Sequence, residues 1–111
     1  EVTDEKPLRW IGTSLEDLRD FPEAARQDAG YQLDRVQHGL EPHDWKPMPT
    51  VGKGCREIRV RTEDGAYRVF YVATLGDVVF VLHSFVKKSQ KTSQQDINTG
   101  KARYKKAQEE L

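Results

Sequence analysis

The sequence is poor in cysteine and has no long hydrophobic run, and both shortages narrow the class of protein. A single cysteine, Cys55, excludes an internal disulfide and offers no pair at zinc-ligand spacing. The longest apolar run, residues 78–82, is far shorter than the ~20 residues that a membrane-spanning helix needs. The N-terminus, EVTDEKPLRW, lacks the basic and apolar regions of a secretory signal. We therefore expect a cytoplasmic protein with no membrane partner.

Motifs for several kinds of chemistry are also missing. There is no phosphate-binding glycine motif of the P-loop or dinucleotide type. His38, His43 and Asp44 resemble metal ligands, but no second cluster completes a site. Ser84 cannot form a hydrolase pair with His83, because neighbouring side chains of a strand point to opposite faces. Nucleotide hydrolysis, metal catalysis and serine-hydrolase chemistry therefore have little support.

The formal net charge is zero, yet the two halves of the chain differ in sign. Residues 1–52 sum to −5, residues 53–106 to +7, and the last five residues to −2. A basic surface attracts phosphates through counterion release, so the second half makes a nucleic-acid partner plausible. A solvated charged face would have the same composition, and charge alone does not separate the two interpretations.

The first half of the chain predicts one strand and two helices. PLRWIG, residues 7–12, ends in glycine and is typical of a short strand. Ser14, with Asp17 three residues later, indicates the start of a short helix. An apolar stripe after Pro22 predicts a long helix, and its members are Ala25, Ala29, Leu33, Val36 and Leu40. The proline- and glycine-rich residues 40–54 are then a loop.

From Cys55 the pattern changes to the period of two that is typical of strands. CREIRVR, YRVFYVATL and VVFVLHSF are separated by turn signals at Asp64-Gly65 and Gly76-Asp77, which predicts a three-stranded meander. Alternation along the last strand places Val79, Val81, His83 and Phe85 on one face. Ser93, with Asp96 three residues later, caps a final helix.

Together these elements predict one α+β domain spanning residues 1–111, in the order β-α-α-β-β-β-α. The antiparallel sheet is expected to carry its helices on one face. Residues 1–5 and 107–111 are expected to be frayed, or to derive from trimming or a tag.

A cluster of cations on the predicted sheet is the strongest candidate site. Arg59 and Arg68 lie across a short hairpin from each other, and like charges so placed repel unless an anion joins them. Lys87, Lys88 and Lys91 follow the next strand and would complete an anion site, since arginine forks and lysine charges both bind phosphate. The alternative is a surface ladder of charges balanced by acidic neighbours.

His83 is the one histidine within the predicted strands and helices. Imidazole titrates near neutrality, so it can give or take a proton in the working pH range. A lone histidine in a strand is more often structural, but His83 lies near the polar end of a mostly apolar face, a position that often borders a cleft.

Several stretches together resemble a known family. They are WKPMPTVGKGCREIRVR, YRVFYVA, VLHSFVKKSQKTSQQDI and a following ARY. In this order they are similar to the phage-derived Gp49 or HigB-like branch of the RelE/ParE toxin superfamily, from about Trp10 to Ala107. The resemblance implies a RelE-like fold and the toxin of a type II toxin–antitoxin system.

The resemblance also implies a reaction and its residues. RelE- and HigB-like toxins are small ribonucleases that cut mRNA in the ribosomal A site without a metal, by attack of the ribose 2′-hydroxyl on the adjacent phosphate. Arg68 matches the arginine at the scissile phosphate, and Arg59 falls at a catalytic lysine. Glu57 stands in place of another lysine, although a carboxylate can accept a proton. His83 belongs to the LHSF pattern of the branch, and its catalytic role is our own inference.

The candidate residues form two groups. The catalytic candidates are Arg68, His83, Arg59 and Glu57. The RNA-binding candidates are Lys87, Lys88, Lys91 and Arg61. No cofactor is implied, and the expected partners are a cognate antitoxin, of the helix-turn-helix kind and encoded adjacently, together with the ribosome and mRNA. A ParE-like gyrase poison without nuclease activity, or a module that only binds nucleic acid or protein, remains an alternative.

Overall fold

Eight elements follow one another along residues 5–111, the part of the chain that this computed structural model describes. The strands are β1 (Leu8–Trp10), β2 (Trp45–Pro47), β3 (Cys55–Thr62), β4 (Gly65–Val72) and β5 (Val79–Lys87). The helices are α1 (Ser14–Arg19), α2 (Glu23–Gln37) and α3 (Gln94–Glu109). The predicted α+β class is confirmed, and the order of elements fits a RelE-like fold. Residues 1–4, which fall in the segment expected to fray, lie outside the described residues.

One five-stranded sheet has the order β1-β5-β4-β3-β2. β1 pairs in parallel with β5, and the other neighbours are antiparallel. β2 was not predicted, because it lies inside the proline-rich segment. Trp45 pairs with Ile58, and its ring lies 3.9 Å from the guanidinium carbon of Arg56. This edge position also tolerates Pro47, which cannot donate a backbone hydrogen bond.

Helices cover both faces of the sheet, whereas the sequence analysis predicted helices on one face only. α1 and α2 pack on one face, where the stripe from Ala25 to Val36 meets Ile58, Val69 and Val81. α3 packs on the other face, where Ala107 joins a second apolar cluster with Phe70, Phe80 and Leu82. A central strand buried on both faces reads as a continuous apolar run, which explains VVFVL.

Two predicted helix ends differ from the structure. α2 ends at Gln37, and Leu40, predicted to continue the apolar stripe, is 52% exposed beyond Gly39. α3 continues to Glu109, and its residue Ala107 is fully buried. The expected fraying from residue 107 onward is therefore not seen at Ala107. Over residues 5–111, no helix has both the length and the apolarity that a bilayer crossing requires.

A β-bulge in β5 overturns the predicted alternation of this strand. Tyr71 pairs with Val81 while the preceding Phe70 pairs with His83, so Leu82 is an extra residue. As a result Val81 faces α1 and α2, whereas His83 and Phe85 lie on the α3 side against Phe70. The prediction that Val81, His83 and Phe85 share one face is therefore wrong.

Candidate functional site

Arg59 and Arg68 are directly paired across β3 and β4, as the sequence predicts. Arg68 is only 5% exposed, and its Nη1 donates to the carbonyl oxygen of Tyr67 at 3.0 Å. Its Nε has no hydrogen-bond partner among the residues that the structure describes. The Arg59 side chain is 37% exposed, and its Nη1 lies 3.8 Å from Asp44 Oδ1. The Nε atoms of both arginines are buried, whereas the Nη2 atom of each makes no hydrogen bond or ion pair with the described residues and is the donor left for a ligand.

A cavity of about 610 Å³ brings the predicted cations together, and we call it the arginine cavity. Its cationic lining consists of Arg59, Arg61, Arg68, Lys87 and Lys88. Asp44 is the acidic group on its wall. The predicted convergence of the arginines with the end of the last strand is thus present in the structure. Charges that repel one another around an open space favour an anionic occupant.

Lys91 lies apart from the arginines, in an adjoining cavity of about 410 Å³ that we call the linker cavity. Lys87 and Lys88 line both cavities. The other walls of the linker cavity include Phe85, Thr92 and the start of α3. The two lysines therefore stand between two neighbouring spaces rather than at the edge of one.

Burial, reinforced by neighbouring cations, lowers the pKa of two basic groups of the site. Burial lowers the pKa of Lys87, and Arg68, Lys46 and Arg59 add to the effect while Glu57 opposes it. Burial likewise lowers the pKa of Arg68, with Glu57 again opposing and Arg59 reinforcing the shift. A lowered pKa makes the Lys87 ammonium a better proton donor than an ordinary lysine.

Glu57 is fully buried beneath the arginine cavity and does not line it. Its Oε2 accepts a hydrogen bond from Thr92 Oγ1 at 2.9 Å. Its Oε1 lies 3.8 Å from Arg68 Nε and 3.9 Å from Lys46 Nζ, outside hydrogen-bond distance of both. The carboxylate is therefore placed to hold other side chains, and not to meet a substrate.

His83 does not line the arginine cavity, and its ring packs against the ring of Phe85. The two rings stack with centroids 4.7 Å apart. His83 Nε2 donates to Asp96 Oδ1 at 2.7 Å, since a carboxylate only accepts. Its Nδ1 is buried without a partner among the described residues, and burial lowers the pKa of the ring despite the opposing effect of Asp96. Neither ring nitrogen is open to a substrate in this arrangement.

Three residues of the site were missed by the sequence analysis. Lys46 reaches Glu57 because β2 pairs with β3, and the unrecognised strand hid this neighbour. Thr92 and Asp96 come after the last strand, and only the fold brings them back to the sheet. The capping pattern of Ser93 and Asp96 was recognised and is confirmed, as the Asp96 N–H donates to Ser93 Oγ at 3.1 Å.

Within residues 5–111, no three His, Cys, Asp or Glu side chains form a group able to hold a metal ion.

The fold and the site define a RelE-like α+β protein with a cationic cavity on one face of its sheet. The chain belongs to the family described as phage-derived protein Gp49-like (DUF891), whose model matches residues 16–105. This family is RelE-like and is compatible with a toxin of a toxin–antitoxin system. No curated protein matches the chain.

Proposed function

We propose that this protein is a toxin of a type II toxin–antitoxin system, of the HigB-like branch, and that it cleaves mRNA on the ribosome. The observation that carries the proposal is the pair of arginines, Arg59 and Arg68, facing a single cavity with Lys87 and Lys88. Two guanidinium forks at adjacent positions match the geometry and charge of phosphate oxygens, so a phosphate fits this pair better than a neutral ligand does.

The reaction is an attack of the ribose 2′-hydroxyl on the adjacent phosphate. The 2′-oxygen bonds to phosphorus and loses its proton to solvent. The bond from phosphorus to the 5′-oxygen of the next nucleotide breaks, and a 2′,3′-cyclic phosphate remains on the first ribose. Arg59 and Arg68 stabilise the charge that develops on the phosphorane oxygens. Lys87 gives a proton to the departing 5′-oxygen, a role that its lowered pKa favours.

The remaining cations hold the chain on either side of the scissile bond. Arg61 and Lys88 line the arginine cavity, and Lys91 lines the linker cavity beside it. Each would bind a flanking phosphate as a point charge or a fork. His83 and Glu57 keep no catalytic contact in this mechanism, because Asp96 and Thr92 occupy them. We assign both a structural role.

The same surface accounts for the expected partners. The cationic cavity would bind mRNA in the ribosome, in the cytoplasm, and an adjacently encoded antitoxin would neutralise the protein by covering it. Such an antitoxin presents carboxylates to the arginines, and a helix-turn-helix protein with an acidic segment meets this requirement.

The test is primer extension on mRNA in translating extracts, with wild-type protein and with Arg68→Ala. We expect new 5′ ends inside the reading frame with the wild type and about 10²–10³-fold slower cutting by the variant. Intact mRNA with active, folded wild-type protein would refute the nuclease. Gyrase-dependent DNA cleavage with intact mRNA would instead identify a ParE-like poison, and the absence of both activities, with no toxicity on induction, would identify a binding module.

A further inference from the structure

Residues 88–93, which join β5 to α3, form what we call the lysine linker. It carries Lys88 and Lys91, two of the cations proposed to bind flanking phosphates. A short loop of polar residues has many conformations, and lysines on it bind RNA in a defined register only if the loop is held. The structure holds it at its C-terminal end.

The first fastening joins the lysine linker to the sheet. Thr92 Oγ1 donates to Glu57 Oε2 at 2.9 Å, across 35 positions of sequence. The acceptor is a carboxylate with no solvent exposure, and a hydrogen bond to a charged acceptor is stronger than one between neutral groups. Because Glu57 sits on β3 beside the arginines, this bond fixes the linker relative to them.

A second fastening holds the residue that follows. Ser93 caps α3, and its Oγ donates to Asp96 Oδ2 at 2.8 Å. The other oxygen of Asp96 accepts from His83 Nε2 at 2.7 Å. The start of α3 is thereby tied to β5. The linker is therefore held to the sheet at both ends, at Lys87 by the end of β5 and at Thr92 by its bond to Glu57.

The Glu57 carboxylate contacts both Arg68 and the lysine linker. Its Oε1 faces Arg68 Nε at 3.8 Å, while its Oε2 is bonded to the linker. A fully buried carboxylate without partners is strongly unfavourable, which keeps these groups in place around it. One buried side chain therefore contacts both Arg68 and the linker that carries Lys88 and Lys91.

We propose that Glu57 and Thr92 are positioning residues, which clasp the lysine linker to β3 and align Lys88 and Lys91 with Arg68 along a single-stranded RNA. The inference rests on the proposed function for the identity of the ligand. It gives Glu57, which replaces a lysine of RelE, a role in binding rather than in proton transfer.

The experiment measures how RNA binding depends on salt, with an RNA whose 2′-hydroxyls are methylated so that no cutting occurs. For single strands the slope of log K against log salt changes by about 0.7 for each phosphate contact. Thr92→Val removes no charge, yet we expect it to flatten the slope by about 0.7–1.4, because one or both lysines leave their phosphates. Thr92→Ser keeps the hydroxyl and should retain the wild-type slope.

The matched control is Thr50→Val, an exposed threonine outside both cavities. Hydrogen exchange of the linker amides in the free protein gives a second readout, and it should accelerate in Thr92→Val but not in Thr92→Ser. An unchanged slope or unchanged exchange in Thr92→Val would overturn the clasp, as would an equal loss in Thr50→Val. A wild-type protein that fails to cut mRNA while Thr92→Val still flattens the slope would refute the nuclease and leave the clasp intact.

Discussion

Replacing Arg68 by alanine tests the centre of the site, because this side chain joins the cavity to the buried carboxylate beneath it. The change removes the guanidinium from the arginine cavity and leaves Glu57 with Thr92 at 2.9 Å and Lys46 at 3.9 Å. It therefore perturbs both catalysis and stability. The two effects have different magnitudes and can be measured separately.

The catalytic effect follows from the charge that the guanidinium would stabilise. Loss of one preorganised donor to a transition state costs about 10²–10³ in rate. The stability effect has an upper limit of about 3–5 kcal/mol, the cost of breaking a buried ion pair by removing one partner. Here Glu57 and Arg68 are 3.8 Å apart without a hydrogen bond, and Glu57 keeps Thr92 and Lys46, so we expect a loss of about 1–2 kcal/mol in the free energy of unfolding.

The double variant Arg68→Ala with Glu57→Gln separates these effects. Glutamine removes the carboxylate charge that alanine leaves behind, and it can still accept from Thr92. We expect the double variant to recover about 1 kcal/mol in urea denaturation and to cut mRNA as slowly as Arg68→Ala. Recovery of cleavage together with stability would refute the reasoning, because Arg68 would then act only by neutralising Glu57.

Three further predictions concern parts of the structure outside the cationic surface. Burial lowers the pKa of His83 below 6.5, so the unfolded chain binds its proton first as the pH falls, and the free energy of unfolding should decline below about pH 6.5. His83→Gln should flatten this decline in urea denaturation. The hydrogen bond to the Asp34 carbonyl oxygen raises the pKa of His38, so His38→Gln should instead make the decline steeper. Gly100→Ala would place a methyl group 2.9 Å from the buried ring of Phe70, so it should destabilise the protein by about 1 kcal/mol in urea denaturation although alanine favours helix; a stabilised variant would contradict the close packing of α3. Cys55 is 2% exposed and burial raises its pKa to about 12, so a thiol reagent should label it only as fast as the protein unfolds, and rapid labelling of folded protein would show otherwise.

The sequence predicted those features that depend on local pattern. The stripe from Ala25 to Val36 gave α2, and the turn signal at Asp64-Gly65 located the hairpin between β3 and β4. The two loop residues of this hairpin are Glu63 and Asp64, one position earlier than that signal, and this register sets Arg59 opposite Arg68. A tight hairpin leaves little freedom in register, so the position of its two-residue loop decides which arginine of β3 stands opposite Arg68.

Contacts between distant segments were not predictable in the same way. Thr92 is 35 positions from Glu57, and nothing in its neighbours marks it as a donor to a buried carboxylate. Lys46 lies in a segment whose prolines indicate a loop, whereas its pairing with β3 depends on the packing of Trp45. Sequence analysis therefore gave Glu57 a catalytic role that its burial does not favour.

One extra residue in β5 decides which side chains reach the site. With strict alternation Lys87 would lie on the same face as Val81, toward α1 and α2, and the arginine cavity would lack it. Because Leu82 is inserted between the partners of Tyr71 and Phe70, Lys87 instead lines the cavity with Arg68. Leu82 is the last residue of the apolar run 78–82 and no glycine marks the position, so residue pattern does not reveal the bulge. The meeting of Lys87 with the arginines thus depends on a backbone irregularity, and a chain with the same charges on a regular strand would not bring Lys87 into this cavity.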